Sequence, residues 1–411
     1  MIRPVKRLAL LGAVLMQAAW VQAAPLSLDQ ALEMAAQRST AAMASRASSR
    51  SAAEMARAAG QLPDPMLGVS VENLPVTGGD RFSLTRESMT MKRVAVAQEW
   101  LSPEKRAARE AVGQAMAKRE AAGEWMAVTE ARTQTAVAYL DAWFAAEALK
   151  LTEHTERHAR EALETGRARA ASPGGSAAEA LALTVALGQA EDESLALRQQ
   201  MNAAMVTLVR WTGATAPELQ APRLPDLPAR DAFIAAHPAV AARRADIAFA
   251  ERDVVVTRLN RQPNWTWEVS YGQRQGYSDL ISFGVRIPLP VAPESRQDRE
   301  TAAKAALVDR AQADLTEAER TAGLEYDAIA SDVQRLGQRI DRYRSVVLAP
   351  ARLRVDATLA AYRANQSSLP MVFEARHAEL EAQRKLLELQ RDLARAQAQL
   401  VFKTIDQGAA Q

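Results

Sequence analysis

The sequence has no cysteine, so the chain can form no disulfide and has no thiol to carry an N-terminal lipid. Its net charge is only +2, and the charges of both signs are interspersed. This pattern is typical of solvated helix faces and argues against a nucleic-acid partner. No phosphate-binding loop, nucleophile with its base or metal-ligand cluster is present. We therefore expect neither an enzyme nor a cofactor.

Long apolar runs are also missing after the first residues. The longest, LALTVALG at 181–188, is far shorter than the ~18 to 20 residues that a membrane-spanning helix needs. The N-terminus has three basic residues, an apolar run at 8–16 and small residues before Ala24. These features are typical of a secretory signal peptide. We expect residues 1–23 to be removed and the exported chain to carry no lipid anchor.

Proline is absent from a long stretch between Glu104 and Ala171, which is dominated by strong helix formers. A helix of this length is a rod of roughly 100 Å at about 1.5 Å per residue. On each side of a Pro-rich connector the sequence predicts the same order of helix, two strands, long helix, turn and helix, which we interpret as a duplication. The predicted division is a signal peptide (1–23), a first repeat (24–211), a connector (212–231), a second repeat (232–405) and a flexible C-terminus (406–411).

Alternating apolar and polar residues predict four strands, at 66–73, 89–98, 265–272 and 280–288. In the third strand, Trp265, Trp267, Val269 and Tyr271 share one face. Two interpretations remain open: a small antiparallel sheet packed on helices, or part of the wall of a transmembrane barrel. Four strands cannot close a barrel, and open edges are too costly in lipid. The second interpretation therefore requires several copies of the chain.

The long helices and the duplicated order resemble the TolC family of outer-membrane efflux channels over essentially the whole exported chain. Residues 63–106, with PDPMLGVSVENLP, FSLTRESMTMKRVAVAQEW and SPEKR, resemble the branch that serves heavy-metal exporters of the resistance-nodulation-division type. The resemblance implies a mainly α fold with a small β part, assembled as a homotrimer. Its twelve strands would form a barrel in outer-membrane lipid, and its coiled helices would form a tunnel in the periplasm.

The resemblance also implies partners and a role. A periplasmic membrane-fusion adaptor and an inner-membrane resistance-nodulation-division pump would complete a tripartite system in which this chain is a passive exit duct. Heavy-metal cations are the expected cargo. Drug efflux and type I secretion through the same architecture remain alternatives. From a different class, a periplasmic coiled-coil adaptor or scaffold protein would use the long helices to bridge partners without crossing a membrane.

Two turns between helices are candidates for contact with the adaptor, because family members meet it at the periplasmic end. In the second turn Asn365 stands where glycine is usual, and asparagine tolerates the left-handed conformation. Ser368 is expected to cap the next helix. The alternative is that both are ordinary helical hairpins. The candidate residues are Gly174, Gly175 and Ser176 in the first turn, and Asn365, Gln366, Ser367 and Ser368 in the second.

Charged residues are candidates for two further roles. Family members close the tunnel with an acidic ring after the second turn, and these positions fall on Met371 and Glu374. Three copies of Glu374 would attract cations, whereas the alternative is a solvated helix-surface carboxylate. Glu268 and Arg286 lie on the polar strand faces and are expected to line the barrel lumen.

A metal site is only weakly indicated. His154 and His158 are four residues apart on one helix face, a spacing that can hold a metal ion. No third ligand is evident in the sequence, so we expect exposed helix histidines and predict no metal site.

Overall fold

The computed structural model describes residues 25–172, 176–214 and 218–405. The predicted signal peptide, Gly174, Gly175 and the C-terminus at 406–411 lie outside these ranges. The predicted mainly α fold with a four-stranded sheet is confirmed. In chain order the elements are α1 (Leu28–Arg38), α2 (Thr40–Ala59), β1 (Met66–Glu72), β2 (Met91–Trp100), α3 (Pro103–Ala170), α4 (Ala177–Thr212), α5 (Arg230–Ala235), α6 (Pro238–Leu259), β3 (Trp265–Arg274), β4 (Leu280–Arg286), α7 (Gln297–Tyr343), α8 (Ala349–Arg363) and α9 (Leu369–Phe402).

The first helix begins at a capping box formed by Ser27 and Gln30. Ser27 Oγ accepts a hydrogen bond from the Gln30 amide (3.3 Å), and Gln30 Oε1 accepts one from the Ser27 amide (3.1 Å). The helical segment between Ser27 and Gly60 is divided at Ser39. This residue has an extended ψ of 106°, and its Oγ accepts from the Ala42 amide at 3.2 Å. An internal N-cap therefore separates α1 from α2.

Small residues line two faces of α3. In α3 the series Ala108, Ala115, Ala122, Thr129 and Ala136 is buried throughout. A strict seven-residue repeat favours left-handed supercoiling of neighbouring helices. A Cβ added at Gly113 would lie 2.5 Å from the Ala56 Cα, so the two backbones touch there.

The long helix of the second repeat is interrupted. A π-helical turn at Arg344–Leu348 separates α7 from α8, and Pro350 lies in the first turn of α8. Proline has no amide to donate, and its ring clashes with the carbonyl four residues earlier. A π-helical turn accommodates this break without ending the rod.

The principal core lies around the middle of α3. The connector between the two predicted repeats packs against it through Leu219 and Leu224. Tyr139 is fully buried, and its hydroxyl lies 2.7 Å from the carbonyl oxygens of both Leu26 and Gln220. Burial raises the pKa of Tyr139 to about 12. Leu26 pairs with Leu219 in a parallel bridge, so the connector is tied to the start of the first repeat. The core contains Leu26, Leu28, Ala31, Leu32, Ala136, Ala138, Tyr139, Leu140, Phe144, Leu208, Ala394 and Ala398.

The four strands form one antiparallel sheet in the order β1-β2-β3-β4. The central pairing joins the two repeats, with Trp100 opposite Trp265 and Met91 opposite Arg274. The second strand begins at Met91, two residues later than expected, and extends to Trp100. The register of β2 against β1 and β3 decides which residues of the three strands lie side by side on one face.

Candidate functional site

One face of the sheet is apolar except for Lys92, Gln98 and Gln273, and no described part of the chain covers it. Phe283 is 81% exposed and Val69 is 77% exposed, although both lie in the middle of their strands. A sheet packed on its own helices would bury these side chains. Contiguous apolar surface of this kind indicates contact with a membrane or a protein. The exposed members are Leu67, Val69, Val71, Val94, Val96, Trp100, Trp265, Trp267, Tyr271, Ile281, Phe283 and Val285.

Aromatic side chains lie at one end of this apolar face, where the sheet meets the helices. The rings of Trp100 and Trp265 pack against each other with centroids 6.2 Å apart. Trp267 is on the same face and is 37% exposed. Tryptophan at the rim of an apolar band is typical of a membrane–water interface.

The opposite face carries a chain of ion pairs that spans all four strands. Arg93 on β2 donates to Glu72 on β1 (2.7 Å) and to Glu268 on β3, and Arg286 on β4 donates to the second Glu268 oxygen at 3.0 Å. The two predicted lumen residues, Glu268 and Arg286, therefore form a pair. Arg286 is largely exposed, so this pair contributes little stability by itself. The sequence analysis missed Arg93, whose two acidic partners come together only through the register.

The junction between sheet and helices is fixed by a buried lysine. Lys105 Nζ donates to the Gln262 carbonyl (2.8 Å) and to Asn264 Oδ1 (2.7 Å), and Asn264 donates to Glu99 Oε1 (2.8 Å). Burial lowers the pKa of Lys105. Because these contacts link the start of α3 to the chain entering β3, they lock the two repeats together below the sheet.

The second helical turn adopts the predicted left-handed conformation at Asn365, with φ of 56°. The Gln366 amide donates to the Ala361 carbonyl at 2.8 Å, which satisfies a carbonyl left open at the end of α8. Ser368 occupies the N-cap position of α9, but its side chain makes no cap hydrogen bond. In the first turn, Ser176 caps α4 by accepting from the Glu179 amide at 3.4 Å.

The candidate gate residue Glu374 is exposed and paired within its own chain. Arg354 Nη2 on α8 donates to Glu374 Oε1 at 3.1 Å, and the Glu374 side chain is 68% exposed. Met371, one turn earlier, is half exposed. Glu374 also lines an open groove of about 1090 Å³ formed by α3, α4, α8 and α9. The neighbouring Arg354 was not anticipated from the sequence.

His154 and His158, the weak metal-site candidates from the sequence, line the same groove as Glu374. The rings of His154 and His158 meet edge-on with centroids 4.4 Å apart, and His158 Nδ1 lies 3.2 Å from Glu161 Oε2. The fold brings a third histidine, His377 of α9, to the wall of this groove. His377 lies near Glu193 and Glu381, a grouping that sequence reasoning did not connect.

Comparisons with known proteins identify the fold. No protein-family model matches the chain, and no curated protein matches it. The solved structures that match over 92% of the chain include the outer membrane protein VceC from Vibrio cholerae (16% identity, 95% of that chain covered, TM-score 0.71), the Campylobacter jejuni CmeC outer membrane channel (12%, 85%, 0.73), and the Neisseria gonorrhoeae MtrE outer membrane channel in its open state (15%, 88%, 0.72). The chain has the fold of these channels.

This fold resemblance agrees with the exposed apolar sheet face. Among the described residues, no helix combines the length and the apolar character required to span a bilayer. With sequence identities of 12% to 16%, these structures show that the fold is shared. The cargo and partners of this protein must be argued from its own residues.

Proposed function

We propose that this protein is the outer-membrane exit channel of a tripartite efflux pump. The uncovered apolar face of the sheet is the observation that supports this most directly. In lipid, an apolar outer face and a polar inner face such as the Arg93–Glu268–Arg286 cluster are what a barrel wall requires. The channel is passive, and its energy comes from an inner-membrane pump of the resistance-nodulation-division type.

The channel assembles as a homotrimer. Both β1 and β4 are edge strands in the single chain, with unpaired backbone groups along their outer sides. Such edges are prohibitively costly in hydrocarbon, and pairing β4 of one copy with β1 of the next removes them. Three copies give a barrel of twelve strands, with the long helices continuing it as a tunnel into the periplasm.

Single-cysteine labelling tests the membrane placement cleanly, because the chain has no cysteine of its own. Phe283→Cys lies on the apolar face and Ser282→Cys on the polar face, one residue apart. In outer-membrane vesicles, a water-soluble maleimide is expected to label Ser282→Cys and to spare Phe283→Cys. Both should react after denaturation. Equal labelling in intact vesicles would favour the soluble adaptor or scaffold alternative.

The two helical turns are the proposed contact with a periplasmic membrane-fusion adaptor. The second turn presents the exposed residues Asn365, Gln366 and Ser368 at the tip of a helical hairpin. Gln366→Trp should leave the trimer intact and abolish efflux, because a large ring at the tip would obstruct docking. Full efflux from a properly assembled Gln366→Trp trimer would contradict this contact.

Glu374 is the proposed selectivity gate at the periplasmic end. Its exposed carboxylate, held by Arg354 in one chain, would face two other copies in a threefold tunnel. We expect Glu374→Gln to lower cation selectivity in planar-bilayer recordings. Glu388→Gln is the matched control, since that carboxylate pairs with Lys385 on the surface of α9. Unchanged selectivity in Glu374→Gln would remove the gate role.

Heavy-metal cations are the proposed cargo, on the resemblance of residues 63–106. Growth of a deletion strain, with and without the restored gene, should be measured against a panel of metals, drugs and detergents. Sensitivity confined to one or two metals would support the metal assignment. Sensitivity to drugs alone would retain the channel and replace the cargo, and normal export of metals and drugs would favour type I secretion.

A further inference from the structure

Three potential metal ligands meet where α4 lies beside α9. Glu193 comes from α4, while His377 and Glu381 come from α9, and one ligand atom from each lies within 4.8 Å of the others. The two α9 residues are four apart and therefore share one face of the helix. Only the packing of α4 against α9 adds the third ligand.

The two carboxylates of the cluster already form ion pairs with an arginine. Arg384 Nη1 lies 3.2 Å from Glu193 Oε2 and 2.8 Å from Glu381 Oε1. Glu193 Oε2 is shielded from solvent, yet it accepts no hydrogen bond from the described residues. The ion pair with Arg384 offsets only part of the cost of shielding this oxygen, so a cation in direct contact with it would be stabilised here.

We propose that Glu193, His377 and Glu381 form a binding site for a divalent metal ion of the zinc class, in competition with Arg384. One imidazole and two carboxylates suit Zn²⁺ and similar borderline divalent ions. The site offers no thiolate or thioether, which disfavours Cu⁺ and Ag⁺. Water completes the tetrahedral coordination.

The geometry requires only local adjustment. Ligand bonds of about 2.0 to 2.1 Å place tetrahedral donor atoms roughly 3.3 Å apart. His377 and Glu381 are exposed, so rotation of these side chains can bring their donor atoms closer to Glu193. The Arg384 guanidinium must swing away, and its flexible stem permits this movement.

A metal ion in this site would join α4 to α9 in the half of the helices nearest the two turns. Glu193 lies roughly 25 Å along α4 from its start, at about 1.5 Å per residue. The ion would replace the bridging Arg384 with stronger and more directional bonds. This inference stands on the cluster itself and does not depend on the proposed channel function.

Competition between the purified full-length protein and a chromogenic zinc chelator tests the proposal. We expect His377→Ala and Glu193→Gln to weaken zinc binding by at least about tenfold, since loss of even an outer-shell partner has an effect of that size. Arg384→Gln should tighten zinc binding, because it removes the competing cation. The matched controls are His154→Ala and Glu388→Gln, which should leave the affinity unchanged.

Cobalt spectroscopy separates loss of the site from loss of the fold. Wild-type protein loaded with Co²⁺ should show visible absorption typical of tetrahedral coordination, and His377→Ala with unchanged helical circular dichroism should lack it. Equal zinc affinity in wild type and His377→Ala would overturn the proposal. Loss of binding in His154→Ala alone would overturn it too, because the ion would then belong to the His154–His158 pair.

Discussion

The two predicted repeats, residues 24–211 and 232–405, have helices and strands in the same order, yet they differ at corresponding joints. Each begins with a short helix joined to a longer one by a buried N-cap residue, which is Ser39 in the first repeat and His237 in the second. The long rod is continuous in α3 but broken between α7 and α8 at Pro350. Both halves therefore have a capped helix start followed later by a long helical rod. The capping side chain and the continuity of the rod differ between them.

The largest effect is expected on the sheet, where each repeat contributes one hairpin. Phe283→Arg and Val69→Arg place a charge on the apolar face, which costs about 2 to 4 kcal/mol at the bilayer midplane. Both hairpins should respond alike if they line the same barrel. Urea titration of the protein in lipid vesicles measures the change in the free energy of unfolding.

Ser282→Arg is the control for the sheet, since it places the same charge on the polar face. We expect little change in the free energy of unfolding from it. Equal destabilisation by substitutions on both faces would contradict the membrane placement. A loss confined to β4 would break the equivalence of the two hairpins.

The second-largest effect is expected from glycine substitutions in the long helices, and it should differ between the two repeats. Gly113→Ala would place a Cβ 2.5 Å from the Ala56 backbone, whereas at Gly323 the nearest atom is the Arg230 guanidinium at 2.7 Å. A backbone cannot yield as a flexible side chain can, so Gly113→Ala should destabilise by about 1 to 3 kcal/mol. Gly323→Ala should be close to neutral, because the intrinsic preference of alanine for helix offsets the displacement. Thermal unfolding followed by circular dichroism compares them, and equal losses would refute this difference.

The buried N-cap residue His237 predicts that the free energy of unfolding depends on pH through a group that only the second repeat has. His237 Nδ1 accepts from the Ala239 amide at 3.3 Å, and its Nε2 lies 3.5 Å from Glu325, which also binds Lys403. Burial lowers the pKa of His237, and this outweighs the opposing effect of Glu325. The unfolded chain therefore takes up this proton first as the pH falls below about 6.5, and stability declines there.

His237→Ser copies the cap of the first repeat and should remove this pH-dependent contribution. The test is the difference in the free energy of unfolding between wild type and His237→Ser, measured from pH 8 down to pH 5. A fall in the stability of wild type relative to His237→Ser below pH 6.5 supports the assignment. A constant difference would show that His237 does not carry the pH dependence.

The smallest effect is expected at the second helical turn. Asn365 has φ of 56°, a conformation that glycine adopts without steric cost. Asn365→Gly should stabilise the turn by no more than about 1 kcal/mol, which differential scanning calorimetry can resolve as a small rise in melting temperature. A fall in melting temperature would mean that the asparagine side chain contributes a contact of its own.

Local patterns were sufficient to predict most elements but not how they meet. The capping box at Ser27, the proline-free rod and the alternation around Trp265 each act within a few residues, and these elements are present. The division at Ser39 and the missing cap bond of Ser368 were not predicted, because tertiary packing decides whether such a side chain caps. The partners of Arg93 and Glu374 depend on strand register and helix pairing, which no local pattern records.

The sequence by itself determined that this protein is built from long helices and short alternating strands, because helix propensity and side-chain periodicity are local properties. Only the tertiary structure decided that the apolar strand face is left uncovered, because that depends on where the helices pack. It also decided that His377 meets Glu193, since these residues lie on separate helices and only the association of α4 with α9 brings them together.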